Sequence, residues 1–159
     1  MNGIKTRQEI ISLRKNFKKE NKRVVFTNGV FDIIHSGHVD YLTKSKSLGD
    51  ILIVGINSDT SVHQIKGEKR PVISEGERAF IISSLKPVDY VTLFDEDTPQ
   101  MLIEDIIPDI LVKGADWAPD QIVGKDIVEK NGGRVQTIEF INNQSTSRII
   151  NVILDRYCN

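Results

Sequence analysis

The chain has 159 residues and a mass of 17.9 kDa, a length that suits one domain with an ordinary apolar core and leaves little room for a second. Its 21 Lys and Arg balance 22 Asp and Glu to a net charge of -1, so no global basic field favours nonspecific nucleic-acid binding. The single cysteine, Cys158, excludes an intrachain disulfide and a cysteine-based zinc cluster, and the charged start at Met1 to Ile10 and the lack of any run near the ~20 apolar residues of a membrane span lead us to expect a cytoplasmic protein without membrane or nucleic-acid partners.

In chain order, Thr6 to Glu20 reads as a helix with Ile10, Leu13 and Phe17 on one face and Arg14, Lys15 and Lys18 pointing elsewhere. Arg23 to Thr27 reads as a strand, Gly37 to Leu48 as a helix, and Ile51 to Ile56 as a strand apolar on both faces. Helices follow at Glu75 to Leu85, Pro99 to Ile106, Gly124 to Lys130 and Thr146 to Arg156, with strands at Tyr90 to Phe94, Ile110 to Lys113 and Arg134 to Glu139. Thr98 is the expected N-cap before Pro99, and Asn131-Gly132-Gly133 the expected helix stop. Strands alternating with crossover helices predict an α/β fold: one doubly wound five-stranded parallel sheet with helices on both faces, residues 1–22 packing on a domain of residues 23–159. No repeat or low-complexity linker divides the chain.

Chemistry concentrates where the first strand runs into Asn28-Gly29-Val30-Phe31-Asp32-Ile33-Ile34-His35-Ser36-Gly37-His38 and opens a helix. Two of three histidines lie here in a His-x-Gly-His pattern that composition alone would produce about 0.004 times. Backbone N–H groups and the positive dipole end at a helix start favour phosphate, and imidazoles add donors that a bound phosphate would protonate. The structural alternative, with His35 capping the loop and His38 packing on the first turn, carries less weight at the carboxyl end of a parallel strand, where such sheets bind ligands. Zinc ligation lacks a third local thiolate. His63 has no partner in sequence and reads as a surface or loop residue.

These residues resemble the His-x-Gly-His nucleotidyltransferases of the cytidylyltransferase-like superfamily. Asn57-Ser58-Asp59, Lys66-Gly67, Arg70-Pro71, Glu77-Arg78, Val112 to Trp117 and Ser145-Thr146-Ser147 follow in the family's order, from about Arg23 to about Ile150. Among subfamilies the sequence is most similar to the D-glycero-β-D-manno-heptose 1-phosphate adenylyltransferases. That subfamily often follows a sugar kinase domain; none lies in these 159 residues, so the expectation is a stand-alone transferase, and relatives suggest a homodimer or larger assembly.

The resemblance implies catalytic roles for His35, His38 and Lys66. It implies nucleotide binding by Asn28, Gly29, Phe31, Asp32, Gly37, Lys113, Gly114, Asp116, Ser145, Thr146 and Ser147, and substrate-phosphate binding by Arg70 and Arg78, with no protein-held metal. Each has a plainer reading beside it: a solvated charge run for Lys66 and Arg70, a helix-surface pair with Glu77 for Arg78, an Asx-type turn for Asp32, N-capping for Ser145 to Ser147, and a loop cover for Trp117.

The implied reaction joins ATP and the sugar 1-phosphate into ADP-heptose and pyrophosphate, with Mg²⁺ bridging the nucleotide phosphates by analogy with other phosphoryl transfers. The same chemistry on CTP and glycerol 3-phosphate is one alternative, since Val30 and Gln144 depart from the pattern of relatives. A noncatalytic nucleotide-sensing module is another. An RNA-linked adenylating enzyme ranks last, for want of a basic surplus and an anticodon-binding extension.

Overall fold

The computed structural model describes residues 3–115, 118, 121–139 and 145–158. Its elements are α1 (Arg7–Lys19), β1 (Val24–Gly29), α2 (Ser36–Lys46), β2 (Ile51–Asn57), α3 (Asp59–Lys66), α4 (Glu75–Ser83), β3 (Tyr90–Phe94), α5 (Gln100–Ile106), β4 (Ile110–Gly114), α6 (Lys125–Lys130), β5 (Arg134–Ile138) and α7 (Thr146–Tyr157). All strand pairings are parallel, in the order β3-β2-β1-β4-β5. The chain winds outward from β1 to β3, then returns to lay β4 beside β1, which puts the topological switch point between β1 and β4.

Alternate side chains of the strands feed two cores, as the period of two requires. Val25, Leu52, Val54, Ile56 and Val112 pack with Tyr41 and Leu42 of α2 and Ala79 and Ile82 of α4. Val24, Phe26, Ile53 and Leu111 pack on the other face with Ile10 and Phe17 of α1, Leu102 and Ile106 of α5 and Val128 of α6. Leu13 packs partly buried against that second cluster, so α1 uses the face its spacing predicts. Ends are capped by local chemistry: Thr6 and Glu9 form a capping box, and Gly132, at φ +82°, lets the N–H groups of Gly132 and Gly133 return to the carbonyls of Glu129 and Val128 in a Schellman turn.

Three local expectations need correction. Residues Asp59–Lys66 form a helix in a stretch to which the sequence reading assigns no element; Ser58 caps it by accepting from Ser61 N–H, and Gly67, at φ +84°, ends it. His63 is accordingly helical, though exposed. Pro99 itself takes the N-cap position of α5. Arg14 does not point away from the fold: it donates to the carbonyls of Ile106 and Ile107 and to Asp109 Oδ1, satisfying acceptors that the end of α5 leaves open. Among the described residues, no helix is long and apolar enough to cross a membrane.

Candidate active site

A cavity of about 470 Å³ opens at the carboxyl ends of the central strands. Asn28 and Gly29 from β1, Lys113 and Gly114 from β4 and Asn57 from β2 form its floor, with His38 and Tyr41 of α2 on one side and Lys66 of α3 on another. The cavity thus occupies the switch point, where adjacent loops diverge and leave a crevice.

The β1–α2 loop is shaped by packing around Phe31. That residue has φ +50°, uncommon for a bulky side chain, and its buried ring meets the His38 ring edge-on at 5.3 Å between centroids. Gly29 allows this fold-back, since a Cβ there would stand 3.0 Å from the Phe31 ring. Thr27 donates to the Val112 carbonyl at 3.1 Å and its Oγ1 lies 2.7 Å from Tyr41 Oη, tying β1, β4 and α2 together beneath the cavity.

His35 and His38 stack with ring centroids 3.8 Å apart and planes 25° from parallel. A Cβ at Gly37 would sit 3.1 Å from His35 Nδ1, so glycine admits the stacked ring. The His35 side chain makes no capping bond to α2, and the Nδ1 atoms of both histidines are buried without a hydrogen-bond partner. Burial, reinforced by the neighbouring His35, pushes His38 down to about 4, and burial also lowers His35. Both rings are neutral at pH 7, beside the first, unpaired N–H groups of a helix. An arriving phosphate would give an imidazolium the counter-charge that the protein withholds.

Lys113 is buried and donates to Asn28 Oδ1; burial lowers its ammonium to about 8. Lys66 is exposed at the rim. Neither lysine joins an ion pair among the described residues.

The structure separates the remaining expected ligands from the wall. Arg78 is fully buried, and its guanidinium donates to the carbonyls of Ile73, Val30 and Asn57 at 2.9, 2.6 and 2.8 Å and to Asp59 Oδ1 at 2.7 Å. Those donors hold the loops after β1 and β2 onto α4, and Arg78 is not among the residues of the described wall. Asp32 is 2% exposed and accepts from Arg70 Nε at 2.6 Å and from the N–H groups of Val72 and Ile73. Burial alone would raise its carboxyl, but the Ile73 and Val72 N–H groups and Arg70 hold it below the usual carboxylate range. Asp32 thus anchors residues 70–73, and neither it nor Arg70 is among the residues of the described wall. Thr146 donates to the Ile33 carbonyl at 3.4 Å, and Ser145 caps α7 by accepting from Arg148 N–H. The start of α7, including Ser147, therefore adjoins the loop leading to His35 without forming the described wall. Asp116 and Trp117 lie outside the described residues.

Sequence reasoning gave no site role to Asn57, Tyr41, Ile65, Asp97, Thr98 and Val123, which line the wall. Asn57 had a usable signal as the end of an apolar strand before an N-cap serine; Asp97, two helices away from the histidines, had none. Among the described residues, no group of three or more His, Cys, Asp or Glu could hold a metal ion.

Comparison with known proteins places these features in a family. The cytidylyltransferase-like family model matches residues 26–152. The chain belongs to the cytidylyltransferase-like family. Within it, the chain is 51% identical over 154 residues to the bifunctional protein HldE of Syntrophotalea carbinolica, covering 97% of this chain and 31% of that one. It is 58% identical over 136 residues to the bifunctional protein HldE of Citrifermentans bemidjiense, covering 86% and 28%. The chain spans about a third or less of the length of these relatives. Among solved structures, the lipopolysaccharide core biosynthesis protein from Thermoplasma volcanium matches with a TM-score of 0.63 and 33% identity, over 77% of this chain and 99% of that one. Pantoate-beta-alanine ligase from Francisella tularensis, at 14% identity and a TM-score of 0.64 over 100% of this chain and 80% of that one, shares the fold alone.

Proposed function

We propose that the chain transfers AMP from ATP to D-glycero-β-D-manno-heptose 1-phosphate, giving ADP-heptose and pyrophosphate. The carrying observation is the stacked His35–His38 pair, with both Nδ1 atoms unpaired, at a helix start beside a cavity that also holds two lysines without ion-pair partners. The choice of acceptor draws support from the subfamily resemblance and from the likeness to a protein of lipopolysaccharide core biosynthesis.

In this reading a phosphate oxygen of the sugar 1-phosphate attacks the α-phosphorus of ATP in line. The new O–P bond forms as the bond to the β-phosphate oxygen breaks, and pyrophosphate leaves with that electron pair. The acceptor phosphate is already ionised at neutral pH, with a second pKa of about 6, so no protein nucleophile is needed. Alignment and preorganised donors do the work: the first turn of α2, His35 and His38 against the triphosphate, Lys66 and Lys113 against charge building on the leaving group. Asn28 and Lys113 hold one another at the floor, while Gly29, Gly114 and the edge of Phe31 set the shape against which the nucleotide lies. Mg²⁺ enters with ATP as part of the substrate. The start of α7, with Ser145, Thr146 and Ser147, adds a second set of donors beside the histidine loop.

A pyrophosphate-release screen of ATP and CTP against the heptose 1-phosphate and glycerol 3-phosphate tests the proposal, with product mass identifying the joined species. ATP with the heptose 1-phosphate is expected to give the ADP-sugar. Turnover confined to CTP and glycerol 3-phosphate would overturn the substrate assignment, and ATP binding without pyrophosphate release from any pair would make the chain a nucleotide-sensing module.

A further inference from the structure

Among the described residues, the cavity wall carries one carboxylate, Asp97. Its companions there include Lys66, Lys113 and His38, which suit phosphate. A carboxylate repels phosphate oxygens at short range, so without a cation between them Asp97 faces an uncharged part of the substrates. Its place is also built. Asp97 and Thr98 lie in the turn between Phe94 of β3 and Gln100 of α5. Just before them, the Glu96 carbonyl accepts from Ser61 Oγ at 2.9 Å, and Glu96 Oε1 accepts from Arg7 Nη1 at 2.6 Å. Just after them comes buried Pro99. The turn is therefore pinned on both sides from α1, α3 and the core, while the exposed Asp97 side chain enters no hydrogen bond or ion pair with the described protein. The fold fixes the backbone that carries this carboxylate, and both its oxygens are without a partner among the described residues.

We propose that Asp97, with the Thr98 hydroxyl beside it, determines acceptor specificity by hydrogen-bonding the hydroxyl groups of a polyhydroxylated phosphate. The inference rests on the reading of the cavity as a nucleotidyltransferase site and names which part of that site recognises the acceptor's carbon skeleton. A carboxylate accepts from two hydroxyls at once, in bonds stronger than neutral ones, and a threonine both donates and accepts. Ile65, 44% exposed on the same wall, offers an apolar surface to the C–H face of a sugar ring.

The test measures pyrophosphate release by wild type, Asp97→Asn and Thr98→Val with the sugar 1-phosphate, with glycerol 3-phosphate and with ATP varied separately. Asp97→Asn is expected to raise the KM for the sugar phosphate about 10- to 100-fold, and Thr98→Val about 3- to 10-fold. The KM for ATP should stay within about twofold, and the preference for the sugar phosphate over glycerol 3-phosphate should shrink. An unchanged acceptor KM would overturn the proposal. So would a higher Mg²⁺ requirement at unchanged acceptor KM, which would make Asp97 a partner of the metal. If wild type turns over no pair, the broader reading fails on its own, and calorimetric titration of the sugar 1-phosphate into wild type and Asp97→Asn decides this one: weaker binding by the variant supports it and equal affinity overturns it.

Discussion

Two polar clusters flank the β1–α2 loop, and they treat charge in opposite ways. Around Arg78 and Asp32 each charged group is met by the fold: the guanidinium by three carbonyls and Asp59, the carboxylate by Arg70 and two backbone N–H groups. Around His35, His38 and Lys113 the same burial meets no opposing charge, so it lowers the basic groups, His38 to about 4 and Lys113 to about 8. A saturated cation is framework. An unsaturated one waits for an anion, and the desolvation already spent on it makes its interaction with that anion stronger.

The largest effect should come from breaking the saturated cluster. Arg78→Ala strands the carbonyls of Val30, Ile73 and Asn57 and leaves Asp59 without its partner, and should destabilise the protein by about 3–5 kcal/mol in denaturant titration. A change of less than about 1 kcal/mol would mean that the guanidinium is not part of the framework.

The unsaturated cluster predicts the opposite split. His38→Ala should keep near-normal thermal stability while turnover falls about 10²–10³-fold, the roughly 2.7–4 kcal/mol expected of one transition-state donor. Near-wild-type turnover would remove the histidine from the chemistry. His35→Ala should weaken ATP binding as well as turnover, and calorimetry is the readout.

A third effect concerns pH. Because His38 titrates near 4 in the folded chain against an ordinary 6.5, the unfolded chain binds more protons between those values. Stability is then full above about pH 6.5 and declines as pH falls towards about 4. His35 adds in the same direction, and His38→Gln should flatten the decline. Asp32, whose carboxyl is held below its ordinary 3.8, loses its contribution only in more acid solution, so two descending stretches should appear in unfolding free energy against pH, one from each cluster.

The two clusters also differ in how far the sequence betrayed them. His-x-Gly-His is local: His35 as N-cap and Gly37 and His38 in the first turn of α2, directly after a strand and its loop, place both imidazoles at a helix start whatever the rest of the chain does. Nothing local tells Arg78 and Asp32 from residues that touch a ligand, and the partners that enclose them come from far along the chain, Asp32 with Arg70 and Arg78 with Val30 and Asn57. The missed helix Asp59–Lys66 was nearer to legible: Ser58 as cap, Val62 and Ile65 at helical spacing and Gly67 as stop were all present, but the charged, polar composition of the stretch masked them.

By itself the sequence determined the α/β class, the order of strands and crossover helices, and the helix start that carries the histidines, because side-chain periodicity, caps and a four-residue motif act over distances of a few residues. Only the tertiary structure decided which cations remain open to a ligand and that Asp97, Asn57 and Lys113 share one wall. Those outcomes depend on the return of the chain from β3 to β4 beside β1, which brings together side chains that no local pattern relates.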